Sequence, residues 1–256
     1  MPLLGIMTAL PEELDATLAV LSSTRAVRAA GRTFSRGCLG STEVVAVACG
    51  IGKVAAAMTA AHLIGSHGAD GIVVAGVTGA FDRELRIGDV LLADRVVQHD
   101  LDASPLFPAR EIPSLRVSVI DADPVLHSRL GRGADRYLRS GGPTLALAPV
   151  FAEFGIGSPR VRVGTIASGD RFIATEADRS LVRSRVPDAA CVDMESAACA
   201  QVCREHGVPM GVLRVVSDRA DEHAPMDFAR FLSRIAGVMI AGVLSHAMDE
   251  QGVAGL

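Results

Sequence analysis

The chain has 256 residues, about half of them apolar (49%), and 25 Lys and Arg against 29 Asp and Glu give it a net charge of −4. That length sustains a large core within one domain. With no tryptophan, one tyrosine and no basic stripe, the chain supplies neither base stacking nor phosphate neutralisation, which excludes nucleic acid as a partner. The opening Met1-Pro2-Leu3-Leu4-Gly5 lacks a basic stretch and an apolar run of signal-peptide length, and no window looks long enough to span a membrane without charge. Cys38, Cys49, Cys191, Cys199 and Cys203 follow no disulfide framework. These features predict a cytoplasmic chain with reduced thiols and no membrane partner.

Leu3 to Leu10 is an apolar run without a polar face, the pattern of a strand buried on both sides. Pro11-Glu12-Glu13-Leu14 then opens a helix, with proline in the first turn and acids at its positive end. Glu12 suits that dipole role. For Glu13 the spacing leaves open a second role, pointing back over the strand end. Thr24 to Gly40 reads as polar edge strands, and Thr42 to Cys49 as another buried strand. It runs into Gly50-Ile51-Gly52-Lys53, a tight turn before an alanine-rich helix ending near His67. The turn is no Walker loop, because Val47 stands where the first glycine belongs and Val54 where Ser or Thr belongs. It reads as a close-packing turn at a pocket rim.

Gly71 to Thr78 is a fourth strand, ending in Gly76-Val77-Thr78-Gly79, whose small residues let backbone approach a ligand. A turn and strand over Leu85 to Asp94 lead to His99-Asp100-Leu101-Asp102, which fits an ordinary strand end better than a metal site. Ala103 to Pro113 is a loop whose Leu106 and Phe107 have no evident core home and suit contact with a partner chain. Asp123 to Tyr137 is helical by spacing, and Arg139 to Pro159 is the least regular stretch, a surface insertion or short helix. Arg162 to Ser168 is a strand, Gly169 to Ile173 a loop and Ala177 to Arg185 a short helix.

Cys191-Val192-Asp193-Met194-Glu195-Ser196 reads as a strand end passing into a helix of small residues. Cys199 and Cys203 share a face of that helix, with no second pair to complete a metal site. Gly211 to Val216 is a strand ending in Ser217-Asp218, Arg219 to Pro225 a charged loop, and Asp227 to Asp249 a long amphipathic helix. Strands alternating with helices predict an α/β fold: one domain over 1–256, a three-layer sandwich with a mixed, mostly parallel central sheet, and a surface insertion near 114–159.

Glu13, Glu195 and Asp218 thus stand at three strand ends, where α/β sheets meet their ligands, and are expected to share one pocket. No Gly-x-Ser-x-Gly elbow occurs and the seven histidines are scattered, which disfavours nucleophilic hydrolysis. Paired-carboxylate chemistry remains: one acid protonates a leaving group, another activates water and a third grips vicinal hydroxyls. Apolar lining would separate their pKa values.

The motifs that carry this pattern are Gly5-Ile6-x-x-Ala9-Leu10-x-Glu12-Glu13, Gly50-Ile51-Gly52-Lys53-Val54, Gly88-Asp89-Val90, His99-Asp100-x-Asp102, Ser168-Gly169-Asp170-x-Phe172-Ile173, Val192-x-Met194-Glu195 and Ser217-Asp218. In this order they resemble the purine nucleoside phosphorylase/nucleosidase superfamily, and within it the 5′-methylthioadenosine/S-adenosylhomocysteine nucleosidases, over most of the chain except about 114–159. The resemblance implies hydrolysis of the N-glycosidic bond of an adenosine with a 5′-thioether, with water as co-substrate, no cofactor, no metal and a homodimer.

Carried over by position, Asp218 would protonate purine N7, with Ser217 orienting it, and Glu13 would activate the attacking water. Glu195 would bind the ribose hydroxyls, with Met194 packed on the sugar. Phe172 would stack on the base and Ile173 would read its edge through backbone. Leu10 and Phe228 would line the 5′ pocket, joined by Leu106 or Phe107 of a second subunit, while Ile51 and Val77 belong to the two glycine loops at the ligand. Val77 departs from the serine often found there. Val74-Ala75-Gly76-Val77 also replaces the Arg-x-Gly-Ser that holds phosphate in the adenosine-type phosphorylases, which favours hydrolysis over phosphorolysis. The alternatives are a nucleoside phosphorylase or a hydrolase of another 5′-modified purine nucleoside such as futalosine.

Overall fold

A computed structural model describes residues 3–249. Its first unit is β1 (Leu4–Thr8), α1 (Pro11–Val20), β2 (Ser22–Ala29), β3 (Arg32–Leu39), β4 (Thr42–Ala48), α2 (Lys53–His67) and β5 (Gly71–Ala80). Then follow β6 (Val90–Gln98), β7 (Ile120–Asp121), α3 (Pro124–Arg139), α4 (Gly142–Glu153), β8 (Val161–Ser168), α5 (Glu176–Arg185) and β9 (Ala189–Asp193). The chain closes with α6 (Ser196–His206), β10 (Met210–Asp218), α7 (Ala224–Phe231), a π-helical segment over Leu232–Ala236, and α8 (Gly237–Met248).

All ten strands belong to one sheet. β1 lies parallel between β4 and β5, β5 pairs parallel with β10, and β8 pairs parallel with both β6 and β9. The β2–β3–β4 edge is antiparallel, as are β6 with β10 and the last residues of β5 with β9. The sheet is therefore mixed, with more of its paired residues parallel than antiparallel. Its antiparallel share comes from the β2–β3–β4 edge, from β6 with β7 and β10, and from β5 with β9. Strand β5, which bonds to β1, β10 and β9, curls the sheet on itself. This curl brings the C-terminal ends of β1, β5, β9 and β10 together.

Alternate residues of the same strands feed two apolar clusters. Met7, Val45, Val47, Ile72, Val74 and Val212 pack with α2 and α6, while Ile6, Val44, Ala46, Val73, Ala75 and Leu213 pack with α1, α3 and α8. Strands buried on both faces need such continuous apolar runs, and β1, β5 and β10 have them.

Segment 114–159 is not a surface addition. The Asp123 carboxylate caps α3 by accepting from the Val125 and Leu126 N–H groups at 3.0 and 2.9 Å. Helix α3 then buries Leu126, Leu130, Ala134 and Tyr137, one face at helical spacing, and packs along α8. Helix α4 carries Pro149 internally and buries Leu147 and Phe151.

The C-terminal helix also differs from the amphipathic expectation. Ala224–Met248 is long and apolar enough to cross a membrane, with a mean hydropathy of 1.5 over its best window. Its length comes from α7 and α8 running on through the π segment, and its apolar surface is spent on the core: Met239, Ile240, Val243 and Leu244 are all fully buried.

Candidate active site

Each acid at a strand end is held by backbone N–H groups. Glu13 sits in the first turn of α1, and its side chain folds back over the end of β1. Oε2 accepts from the Ala9 and Leu10 N–H groups, both at 2.9 Å, and Oε1 accepts from the Val77 N–H of β5 at 2.9 Å. It thus serves the helix terminus and reaches the site at once, while Glu12 stays exposed. Asp218 ends β10 at a bulge, opposite Gly79. Its Oδ1 accepts from the Ala220 N–H at 2.8 Å, and the Ser217 hydroxyl lies 2.7 Å from Oδ2. Glu195 follows β9, and its Oε1 accepts from the Gly52 N–H at 3.0 Å.

These three acids line one cleft of about 580 Å³, its open mouth included, within the range of small-ligand sites. Leu10, Ile51 and Val77 line it from the N-terminal half of the chain. Phe172, Ile173, Met194, Ser217 and Phe228 line it from the C-terminal half. The Phe172 and Phe228 rings meet edge to face at 5.5 Å, and Phe172 is 42% exposed, so one aromatic face is open to a ligand. Phe107 is the one expected residue outside the cleft. Its ring lies in its own loop under the Arg116 guanidinium, 5.1 Å away, so within one chain it lines nothing there.

The residue that sequence reasoning missed is Arg214, mid-strand in β10 and 1% exposed. Its Nη2 lies 2.6 Å from Asp193 Oδ2 and 3.5 Å from Glu195 Oε2, and it donates to Ser196 Oγ at 3.0 Å. Asp193 is therefore spoken for. It also accepts from the Ser168 hydroxyl at 2.5 Å and from the Ser196 hydroxyl. The signal was present in the sequence: a lone arginine inside an otherwise apolar central strand must be paired with acids.

One guanidinium faces Asp193, Glu195 and Glu13, so the site carries more buried carboxylate than cation. Burial pushes Glu195 up to about 7, against the pull of Arg214. Burial raises Glu13 too, opposed by Arg214 and by three backbone N–H groups. Burial likewise raises Asp218, opposed by its bonds from Ser217 and the Ala220 N–H, with Asp221 and Asp227 adding to the rise. Desolvation thus raises all three carboxyls of the cleft, each against a different set of opposing groups.

Asp100 bonds to Lys53 and Asp102 to Ser104, while His99 lies buried against Gly169 with neither ring nitrogen hydrogen-bonded among the described residues. Cys199 and Cys203 are free thiols with their sulfurs 3.9 Å apart. Among the described residues no three His, Cys, Asp or Glu side chains cluster as metal ligands.

A profile of the Phosphorylase superfamily matches residues 3–247, which includes the segment set apart in the sequence. The chain belongs to that superfamily. It is 35% identical over 240 residues to a 5′-methylthioadenosine/S-adenosylhomocysteine nucleosidase of Mycobacterium tuberculosis, covering 91% of each chain. A nucleosidase of the same description from Staphylococcus aureus is 32% identical over 235 residues, covering 91% of this chain and 94% of the relative. Among solved structures, the Streptococcus pneumoniae nucleosidase with a transition-state inhibitor aligns over 96% of this chain and 98% of its own, at a TM-score of 0.82 and 28% identity. The futalosine hydrolase of Helicobacter pylori aligns over 97% and 98%, at 0.80 and 30%.

The Glu195 proton has a consequence for stability. At low pH the group is protonated in both the folded and the unfolded chain. Between its ordinary value of 4.5 and about 7 only the unfolded chain releases the proton, so the contribution is present below 4.5 and lost as pH rises to about 7. Glu195→Gln mimics the protonated side chain at every pH. In urea unfolding, the stability of the variant relative to the native chain is expected to grow from pH 4.5 to about 7 and then level off. A difference that does not change across this range would contradict the raised pKa.

Proposed function

We propose that this phosphorylase-superfamily chain is a purine nucleosidase that hydrolyses the N-glycosidic bond of 5′-methylthioadenosine and S-adenosylhomocysteine, releasing adenine, on a three-layer α/β sandwich. The observation that carries the reading is the convergence of Glu13, Glu195 and Asp218 on one cleft with unlike surroundings.

Asp218 is raised by burial and by two further acids nearby, and among the described residues it enters no ion pair, so it is the carboxyl suited to hold a proton and give it to purine N7. Ser217 orients it. As the C1′–N9 bond breaks, its electron pair passes to the protonated purine and the sugar develops oxocarbenium character. Glu13, with Arg214 near it and three N–H donors on its oxygens, is the better stabilised anion. It takes the proton of the water that attacks C1′, and its negative charge favours the cationic sugar. Glu195 accepts from the ribose hydroxyls, Met194 packs on the sugar, and Phe172 stacks on the base while Ile173 backbone reads its edge. Leu10, Ile51 and Phe228 give the 5′-thioether an apolar seat.

Water is favoured over phosphate on electrostatic grounds. The cleft is lined by two arginines, Arg171 and Arg214. Arg214 is engaged by Asp193, and Arg171 bonds Asp178 at 2.8 Å. A phosphate dianion beside Glu13 and Glu195 would meet two carboxylates and no unengaged lining cation. The second reading is a hydrolase of another 5′-modified purine nucleoside, favoured by the likeness to the futalosine hydrolase, and it keeps the same acids with a different 5′ seat.

The chain is further read as a homodimer. Val54 and Met58 put an exposed apolar face on α2 beside the half-exposed Ile51, and Leu106 is 84% exposed. Sedimentation is expected to give twice the chain mass, and a monomer at micromolar concentration would remove the dimer from the account. Adenine release from 5′-methylthioadenosine is expected at the same rate with and without phosphate. Strict dependence on phosphate would defeat the hydrolase reading, and release from futalosine alone would select the second reading. Asp218→Asn is expected to fold normally and to lower turnover by about a hundredfold or more. Full activity in that variant would show that the acid is misassigned.

A further inference from the structure

Glu195 is aimed by a backbone turn at least as much as by a cation. The Gly52 N–H reaches its Oε1 at 3.0 Å, while Arg214 stands 3.5 Å from the other oxygen. Gly52 adopts φ 98°, in the region that favours glycine, and a Cβ on it would lie 3.0 Å from Asp170 Oδ1. Asp170 crowds this glycine because the next residue holds it there: the Lys53 N–H donates to Asp170 Oδ1 at 2.7 Å.

The bonds continue from Asp170 and return to Lys53. The Asp170 N–H donates to Asp100 Oδ2 at 2.8 Å, and the Lys53 ammonium donates to Asp100 Oδ1 at 2.6 Å. Lys53 Nζ also donates to Gln98 Oε1 at 3.3 Å. Burial alone would raise Asp100, but the Lys53 and Asp170 bonds outweigh it and hold the carboxyl below its usual range. A closed ring thus joins the turn before α2, the end of β6 and the loop after β8. Phe172 lies two residues beyond Asp170 on that last loop. Lys53, Asp100 and Asp170 do not line the cleft themselves.

We propose that Asp170, held in a ring with Lys53 and Asp100, is a positioning residue that aims the Gly52 N–H at Glu195 and so sets recognition of the ribose hydroxyls. The inference rests on the reading of Glu195 as the carboxylate that grips those hydroxyls. Without the Asp170 carboxylate, the Lys53 N–H loses its acceptor, the turn at Gly50 to Lys53 is tied to the Phe172 loop only through Asp100, and the Gly52 N–H is held less firmly against Glu195 Oε1. The carboxylate is exposed, so its removal leaves the core intact.

The test is the preference for 5′-methylthioadenosine over its 2′-deoxy counterpart, as a ratio of kcat/KM values, in the native chain, Asp170→Ala, Asp170→Asn and Glu195→Gln. Loss of one charge-assisted hydrogen bond is worth roughly tenfold, so Asp170→Ala is expected to cut the preference by about that factor. Asp170→Asn keeps an oxygen that accepts from the Lys53 N–H and is expected to restore most of it. Lys53→Met, which leaves the backbone donor but frees Asp100, is expected to move the ratio in the same direction as Asp170→Ala. A merely structural loosening would slow both substrates alike, and an unchanged ratio in Asp170→Ala would overturn the inference. If Glu195→Gln collapses the preference in that case, only the ring has failed. If Glu195→Gln also leaves the ratio unchanged, the reading of Glu195 fails and the ring inference falls with it.

Discussion

A buried guanidinium sets the terms for this molecule. Arg214 stands in the middle of β10, on a sheet closed to water on both faces, and its desolvation is tolerable only beside anions. Asp193 is the closest of them, and two serine hydroxyls serve that carboxylate in turn. The arrangement also dictates its neighbours. At Gly76 a Cβ would overlap the guanidinium and lie 2.7 Å from Glu13 Oε1, so the strand beside Arg214 must be bare there. Breaking such a pair from one side typically costs about 3–5 kcal/mol, because the remaining charge stays buried.

The same pairing separates structure from chemistry among the acids. Asp193 satisfies the cation, which leaves Glu13 and Glu195 near a positive charge that neither fully neutralises. Asp218 instead holds a serine hydroxyl and a backbone N–H, and among the described residues it enters no ion pair. The unlike surroundings give the acids unlike tasks. A proton rests most readily where no cation competes with it, and a negative charge where donors converge on it.

How much the amino acids reveal depends on how local each signal is. The strand–helix alternation, the helix beginning near Asp123 and the glycine turn before α2 are short-range features, and they appear close to where the sequence places them. Glu13, Glu195 and Asp218 are visible as acids at the ends of apolar runs. Their different states are not, since burial and the reach of Arg214 depend on strands distant in sequence. Arg214 itself is, in the sequence, one letter of a strand. Asp193 and Glu195 look equivalent two residues apart, yet β9 ends at Asp193, whose carboxylate pairs closely with Arg214, while Glu195 lies past the strand end and accepts from the Gly52 N–H. Segment 114–159 looks irregular because its Pro and Gly content masks α4, whose packing partner, α8, lies some hundred residues further on. The C-terminal helix looks amphipathic because its few charges gather before Arg234, while α8 is apolar nearly all round.

The central claim is that acids from three distant parts of the chain surround a single glycosidic bond. A crystal structure of the Asp218→Asn chain holding intact 5′-methylthioadenosine tests it most directly. The account places the Glu195 carboxylate within about 3 Å of a ribose hydroxyl, residue 218 beside purine N7, and Glu13 at a water on the opposite face of C1′. A nucleoside bound with its sugar beyond reach of both glutamates, or seated outside the cleft, would contradict it.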